Sequence, residues 1–204
     1  MKLHEAESPN ARRVHVFLKE KGVEIESVPV DIRAAENLSP EFLAKNPAGR
    51  VPVLELDDGS FIAESVAISR YIEALHPEPN LFGQTAEDMA RIEMWNRRAE
   101  FNFAQNAAMA FRNISGFFKD REVCVEEWGR VCAEEAKNQL GMFEDQLGKT
   151  AYLAGDAFSI ADISFGVFYG FAEMVEKMTG VDFERGRPNL TRWYGELSSR
   201  PSFG

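Results

Sequence analysis

The chain has 204 residues, of which 45% are hydrophobic and 27% are charged, and its net charge is −10 at pH 7. These proportions are typical of a globular protein with a sizeable core, and the length allows one large domain or two small ones. The acidic balance argues against nucleic acid or an anionic membrane surface as the main partner. The N-terminus lacks the apolar run of a signal peptide, and no stretch approaches about 18 uncharged apolar residues, so we expect a cytoplasmic protein.

The first 77 residues alternate between predicted strands and helices. Strands are indicated by short apolar runs between turn signals, and helices by apolar residues three and four positions apart. The predicted elements are strand 2–6, helix 11–21, strand 24–32, helix 39–46, strands 51–56 and 60–63, and a helix ending before Pro77. Residues 57–59, Asp-Asp-Gly, form the turn of a hairpin. The order βαβ, α, ββα predicts an α/β domain with a mixed sheet covered by helices.

The rest of the chain is predicted to be helical. Residues 78–85 have the Pro, Gly and Asn content of a linker, and residues 86–204 form a second domain. Apolar residues at helical spacing predict helices within 86–113, 126–148, 159–178 and 188–201. Ser159 and Asp162 form a capping-box pair at the start of the third of these. Because the next ten residues are nearly all apolar or small, we expect this helix at the buried centre of an all-α domain.

The cysteines and histidines predict no metal chemistry. Cys124 and Cys132 lie eight positions apart, in neither a redox nor a metal-binding pattern, and the three histidines are far apart in sequence. We therefore expect structural or incidental roles for both cysteines. No metal cofactor is expected.

The junction between the first strand and the first helix is a candidate site. Ser8 suits the N-cap, Pro9 the first helical position and Gly22 the far end of the helix. A helix N-terminus presents unpaired N–H groups and a partial positive charge, which favour an anion. The Ser8 hydroxyl and the Asn10 amide are two possible donors to that anion.

A second candidate site lies within residues 46–65. Pro52 stands inside a strand, where a cis bond before it would leave the Val51 backbone able to pair with a peptide-like ligand. At the following helix N-terminus, Ser65 could hold a ligand carboxylate and Glu64 a ligand ammonium. The simpler interpretation makes Ser65 an N-cap only and Glu64 a solvated charge.

Two stretches carry a resemblance to a known family. Residues 46–72, "NPAGRVPVLELDDGSFIAESVAISRYI", resemble the glutathione-site pattern of cytosolic glutathione S-transferases, and "GDAFSIADIS" resembles the capping-box motif of their helical domain. The likeness covers essentially the whole chain. It implies a thioredoxin-like N-terminal domain, an all-helical C-terminal domain, and a serine-type N-terminal motif similar to that of theta and zeta members.

The resemblance implies a role in glutathione binding for six residues. Glu64 and Ser65 match the pair that holds the γ-glutamyl amine and carboxylate, and Val51, before Pro52, matches the residue whose backbone pairs with the cysteinyl unit. The remaining two, Asn37 and Arg50, fall where theta-like and zeta-like members contact the glycine end, although the residue types differ.

Ser8 aligns with the catalytic serine of theta-, zeta- and delta-like members, which makes the glutathione thiolate the expected anion. We expect Ser8 to be its main donor, with Asn10 as the alternative. A serine in place of the cysteine of omega- and beta-like members argues against a mixed disulfide with the protein. The resemblance places the electrophile's pocket against the helical domain. The candidates there are Phe101, Phe103, Met109 and Phe111, although such a stripe is more often core.

The predicted function is the addition of the glutathione thiolate to a small hydrophobic electrophile by a homodimer, with glutathione as co-substrate. One alternative is isomerisation, dehalogenation or peroxide reduction by the same thiolate. Another is a scaffold protein that keeps the fold without catalysis. The Glu64–Ser65 pair and the Ser8 junction weigh against the scaffold.

Overall fold

The chain forms two compact units, and the computed structural model describes all of it, Met1–Gly204. One unit spans Met1–Asn80 and the other spans Leu81–Gly204, so the division falls within the segment 78–85 that the sequence marks as a linker. The first unit mixes strands and helices, and the second has helices and no β-strand. The predicted fold class is confirmed.

The N-terminal unit contains a four-stranded mixed sheet. Its elements are β1 (Lys2–Glu5), α1 (Pro9–Lys21), β2 (Glu26–Pro29), a 3₁₀ turn (Glu36–Leu38), α2 (Pro40–Leu43), β3 (Val53–Glu55), β4 (Phe61–Ala63) and α3 (Ser65–Leu75). The strand order is β2-β1-β3-β4. β1 runs parallel to β2 and antiparallel to β3, which pairs with β4 as the predicted hairpin. β2 is shorter than the predicted strand 24–32, although the Val30 N–H beyond its last residue still donates to the Glu5 carbonyl of β1 at 2.7 Å.

The helices cover opposite faces of this sheet. His4 of β1 is paired with Val53 of β3, and Val53 packs against Phe42 of α2. The next residue, Glu5, points to the other face, where its carboxylate lies 2.5 Å from a ring nitrogen of His15 in α1. α2 therefore lies on one face of the sheet and α1 on the other.

The helices α1 and α3 run side by side in the same direction. Near their N-termini, Arg13 donates a hydrogen bond to Ser65, and near their C-termini Lys21 forms a buried ion pair with Glu73. Both contacts join residues 52 positions apart, as parallel helices in constant register require. The N-termini of α1 and α3 consequently lie together at one end of the unit.

The C-terminal unit is helical throughout. Its elements are α4 (Ala86–Arg98), a π-helical segment (Ala99–Ala104), α5 (Gln105–Ser115), α6 (Glu126–Leu147), α7 (Ile160–Thr179), α8 (Pro188–Ser198) and a 3₁₀ turn (Pro201–Phe203). The sequence predicts one continuous helix where α4, the π segment and α5 follow one another, since a single wide turn leaves little trace in apolar spacing. None of the helices is both long and apolar enough to cross a membrane.

α7 forms the centre of the C-terminal unit, as predicted from its apolar composition. The Phe165 ring stacks on Phe143 of α6 at 4.0 Å between centroids and lies 5.0 Å from Trp193 of α8. Phe103 meets the same ring edge-on at 5.2 Å. All four rings are buried, so they join the helices around one aromatic core.

The predicted capping box at the start of α7 is present. The Asp162 carboxylate accepts hydrogen bonds from the Ser159 N–H and hydroxyl at 3.1 Å each. It also accepts from the Leu153 N–H at 3.0 Å and the Trp193 indole N–H at 3.1 Å. Burial raises the pKa of Asp162 to about 6, although these four bonds oppose that shift. A single carboxylate thus joins α7, α8 and the preceding loop.

Candidate functional site

The candidate site lies where the N-termini of α1 and α3 meet at the end of the sheet. The register of β3 and β4 pairs Val53 with Ala63, so Pro52 and Val51 extend beyond this pair beside the start of α3. α1 begins shortly after β1, which pairs with β3 on its other side. Two helix N-termini at one place present a cluster of unpaired N–H groups, which favours anionic ligands.

Ser8 caps α1 and retains a hydroxyl proton for a ligand. Its backbone is extended, and its Oγ accepts a hydrogen bond from the Ala11 N–H at 3.3 Å, as the sequence predicts for an N-cap. Pro9 occupies the first helical position and Gly22 ends the helix in the left-handed conformation. A hydroxyl can accept and donate at the same time, and the Ser8 O–H has no acceptor within the unit. Capping and donation to a bound anion are therefore compatible.

Asn10 is the second residue of α1, two positions after Ser8, and is exposed. Its Oδ1 is 3.5 Å from the Ser65 hydroxyl, which is at the limit of a hydrogen bond. Its side-chain amide has no partner within the unit. Asn10 thus remains a second possible donor to an anion at this helix end.

Glu64 and Ser65 occupy the start of α3 in different environments. Glu64 is the N-cap residue, with φ of 69° and ψ of 115°, and its exposed side chain forms no capping bond. A non-glycine residue with positive φ carries backbone strain, and such strain concentrates at ligand sites. Ser65 is buried and accepts a hydrogen bond from Arg13 Nη1 at 3.1 Å. The carboxylate of Glu64 and the hydroxyl of Ser65 therefore stand side by side as an acceptor and a donor.

The peptide bond between Val51 and Pro52 is cis, as the sequence suggests. The Val51 side chain packs against the cluster formed by Val30, Phe42 and Val53, which fixes its backbone. Neither the N–H nor the C=O of Val51 is hydrogen-bonded within the unit. An extended ligand could pair with both groups as an added strand would.

The loop before Val51 is held by two asparagine side chains. Asn46, which is buried, donates to the Arg50 carbonyl at 2.8 Å and accepts from the Ala48 N–H at 3.1 Å. Asn37 donates its amide to the Gly49 carbonyl at 2.7 Å, while its Oδ1 is buried with no hydrogen-bond partner. The Arg50 side chain is exposed. This loop thus carries one exposed guanidinium, from Arg50, and one amide oxygen without a hydrogen bond, from Asn37.

Gly49 is the residue that permits this loop. Its φ is 59°, and a Cβ at this position would lie 2.9 Å from Leu38 Cδ2 and 3.2 Å from the Asn37 carbonyl. Both the backbone conformation and the close packing therefore require glycine. The two asparagines and the glycine together set the path of the chain into Val51.

Sequence reasoning missed two residues of this region. Arg13 lies on the face of α1 toward α3, and an arginine among apolar helix positions is the only sequence signal for it. Asn46 is signalled only by the Asn-Pro pair, which marks a turn without showing what the side chain binds. Both residues contact the predicted site residues and neither has a motif of its own.

The aromatic candidates of the helical unit lie in different environments. Phe103 is fully buried in the core, whereas Phe101 is 59% exposed and stacks with Arg97. Phe111 contacts Phe117 and Phe171, each at 5.5 Å between centroids. They do not form one lining surface. No group of three or more His, Cys, Asp or Glu side chains is arranged to hold a metal ion.

Both units match models of one protein family. Residues 7–75 match the glutathione S-transferase N-terminal domain, and residues 97–196 match the glutathione S-transferase C-terminal domain. Glutathione S-transferase 2 of Saccharomyces cerevisiae is 36% identical over 198 residues, which cover 95% of this chain and 83% of that protein. The chain belongs to the glutathione S-transferase family.

Two further similarities bear on fold and function. The crystal structure of a glutathione S-transferase domain-containing protein from Marinobacter aquaeolei is 34% identical, with a TM-score of 0.94 and full coverage of both chains. Elongation factor 1-gamma of Prunus avium is 30% identical over 196 residues, which cover 95% of this chain and 44% of that protein. A sequence similar to this chain therefore also forms part of a longer protein with a different name.

Proposed function

We propose that this glutathione S-transferase binds glutathione across the N-termini of α1 and α3 and adds its thiolate to a small hydrophobic electrophile. The observation that carries the proposal is the parallel packing of these helices, each of which begins with a serine hydroxyl able to donate. Glutathione with an ionised thiol carries three anionic groups, and such donors would stabilise two of them, the thiolate and the γ-glutamyl carboxylate.

The thiolate is assigned to the N-terminus of α1, in a serine-type mechanism. A free thiol has a pKa of about 8.5, and lowering it by two units requires about 2.7 kcal/mol of preferential interaction with the thiolate. One hydrogen bond to a charged group contributes about 1.5–3 kcal/mol and a helix N-terminus about 0.3–1 kcal/mol. One donor together with the helix N-terminus is therefore sufficient to lower the pKa of the glutathione thiol by about two units. Ser8 is the assigned donor, with Asn10 as the alternative.

The γ-glutamyl group is assigned to the start of α3. Its carboxylate would accept from the Ser65 hydroxyl and from the N–H groups of the first helical turn, which favour an anion. Its ammonium would pair with the exposed carboxylate of Glu64. In this assignment the carboxylate of the γ-glutamyl group meets hydrogen-bond donors, and its ammonium meets a carboxylate.

The rest of the peptide is assigned to the loop that leads into β3. The Val51 N–H and C=O, before Pro52, would pair with the cysteinyl unit, since both are unbonded within the protein. The exposed Arg50 guanidinium is assigned to the glycyl carboxylate. The Asn37 amide is engaged with Gly49, so Asn37 would act by holding this loop or by accepting an N–H at its Oδ1.

The helical unit carries a partly exposed aromatic cluster, formed by Phe111, Phe117 and Phe171. Phe117 is 39% exposed and meets Phe111, whose other contact is the edge-on ring of Phe171. A partly exposed group of rings would favour an apolar or aromatic electrophile. The homodimer and the cytoplasmic location expected from the sequence stay predictions.

A second candidate function is a domain that keeps the fold for interaction with other proteins and does not catalyse. The similarity to elongation factor 1-gamma favours it, because that protein contains this fold within a longer chain. The two functions differ in one measurable property, turnover. A scaffold would give no glutathione conjugate with any electrophile.

The test combines calorimetric binding of glutathione with turnover on a panel of hydrophobic electrophiles. The protein should bind glutathione and conjugate at least one of the panel. Glu64→Ala should weaken glutathione binding by about tenfold or more, because it removes a charge-assisted hydrogen bond. Glu24→Ala, which removes an exposed glutamate from the loop before β2, is the matched control and should bind normally. Binding without turnover would favour the scaffold, and equal affinities in all three proteins would refute the assigned site.

A further inference from the structure

The first turns of α6 carry an apolar stripe that faces solvent. Val125, Trp128 and Val131 follow one another at a spacing of three residues and are 45%, 54% and 57% exposed. The other side of the helix packs against α5, since a Cβ at Gly129 would lie 2.7 Å from Ile114 Cγ1. The three exposed side chains, called the α6 stripe below, are therefore uncovered in the folded chain.

Trp128 differs from the other two tryptophans of the chain. Trp95 and Trp193 are buried among the helices, whereas more than half of the Trp128 side chain is exposed. An indole buries a large apolar area on binding, and tryptophan is enriched at the energetic centres of protein interfaces. Single exposed apolar residues are ordinary, but a contiguous group that includes a tryptophan is typical of an interaction site.

Carboxylates border the C-terminal end of the α6 stripe. Glu127 lies four residues before Val131, Glu134 and Glu135 lie three and four residues after it, and all three are exposed. Residues at these spacings are neighbours on a helix surface, so three carboxylates surround the valine. Glu127 and Glu135 have no cationic partner, and Glu134 has one only at 3.9 Å, from Lys137. The border therefore keeps most of its negative charge.

This charge decides between the possible occupants of the α6 stripe. A second copy of the chain on a two-fold axis would bring the same carboxylates together, and like charges disfavour such a contact. The net charge of −10 likewise disfavours an anionic membrane. A segment with an apolar row between lysines or arginines would complement both the stripe and its border. An amphipathic helix presents that pattern along one face.

We propose that the α6 stripe docks a basic amphipathic helix of another protein. Trp128 is the anchor that the partner buries, and Glu127, Glu134 and Glu135 form the charged border that selects a basic partner. This interaction goes beyond the proposed function, because it requires neither glutathione nor any residue of the N-terminal unit. Since the border is exposed to solvent, binding should weaken as the salt concentration rises.

The probe for this surface is a synthetic peptide of about 18 residues, long enough to form a helix, with leucines on one face and lysines on both flanks. Trp128 reports its binding, because the other two tryptophans are already buried. The peptide should shift the tryptophan emission to shorter wavelength, and high salt should raise its Kd by about tenfold or more. A control peptide with the same leucines and glutamates in place of the lysines should not bind.

Three variants locate the binding surface. Val131→Lys puts a cation at the centre of the border and should abolish binding of the basic peptide. The double variant Glu127→Gln and Glu135→Gln keeps the stripe but removes two charges, and should raise the Kd about tenfold. Met178→Lys, at an exposed methionine of α7, is the matched control and should bind normally. All of these positions are exposed, so the variants should remain folded.

Three results would overturn the inference. The first is no binding of the basic peptide, or equal binding of the acidic control peptide. The second is full affinity in Val131→Lys. The third is self-association of the unsubstituted protein that Val131→Lys abolishes, because a second copy would then occupy the stripe.

Discussion

At the scale of single residues, the Ser8 and Ser65 hydroxyls share one arrangement. Each accepts a hydrogen bond from the protein, Ser8 from the Ala11 N–H and Ser65 from Arg13, and each thereby directs its own proton away from that donor. Fixed donors need no reorganisation when an anion binds, which is why such groups stabilise charge more than water does. The hydrogen bonds that the Ser8 and Ser65 hydroxyls accept therefore preorganise the site for an anion.

Asp162 is a single residue whose titration should be measurable in stability. Its pKa is raised to about 6 by burial, so the folded protein retains this proton to a higher pH than the unfolded chain does. The stabilisation from the protonated carboxyl is complete below about pH 4 and is lost as pH rises through about 6. Other carboxylates, including Glu55 and Glu173, have lowered pKa values and act in the opposite direction.

Comparison with Asp162→Asn isolates this contribution. The asparagine cannot titrate and loses part of the cap, so this variant should be less stable than the unsubstituted protein at pH 4. The difference in unfolding free energy between the two proteins should then narrow by about 2 kcal/mol between pH 4 and pH 7. Denaturant unfolding of both proteins at several pH values measures this difference in unfolding free energy. A difference that is constant or widens with pH would contradict the raised pKa.

At the scale of elements, the parallel pair α1 and α3 determines what the site can bind. Their registered contacts hold two positive helix ends within one region of the N-terminal unit. A tripeptide with anionic groups at separate points matches two adjacent helix ends better than a single one. The loop through Val51 supplies the intervening backbone donors and acceptors.

Much of this arrangement could be predicted from the sequence, because local signals determine it. The Ser8 and Ser159 caps follow from residue type and spacing, and the Asp-Asp-Gly turn fixes the β3–β4 hairpin. The position of Pro52 in a strand indicates an unusual backbone there, and the structure has a cis bond.

Other features depend on contacts between distant parts of the chain and had no local signal. The Arg13–Ser65 bond joins residues 52 positions apart, and neither residue type predicts it. The π-helical segment Ala99–Ala104 is also invisible to apolar spacing. The assigned site residues stay predictions until ligand binding is measured.

At the scale of the whole molecule, the predicted assembly is a two-fold dimer. The resemblance implies it, and the helical unit exposes large apolar side chains that are candidates for burial in an interface, including Met89, Met94 and Phe101. Sedimentation velocity should give a species of twice 23.0 kDa that persists on dilution. A stable 23.0 kDa monomer that still turns over glutathione would contradict the dimer.

The central claim is that Ser8 stabilises the thiolate of bound glutathione, and the pKa of that thiol tests it most directly. The pKa can be followed by the ultraviolet absorbance of the thiolate as a function of pH. Ser8→Gly is the sharper variant, because glycine caps a helix almost as well as serine but has no hydroxyl, whereas Ser8→Ala also weakens the cap.

Both Ser8 variants should raise the thiol pKa by about 1–2 units, the equivalent of one hydrogen bond to a charged group. Their affinity for glutathione at low pH should be nearly unchanged, since the lost bond belongs to the ionised form. Asn10→Ala should raise the pKa less. A larger rise in Asn10→Ala would transfer the role to Asn10, and an unchanged pKa in both Ser8 variants would contradict the account.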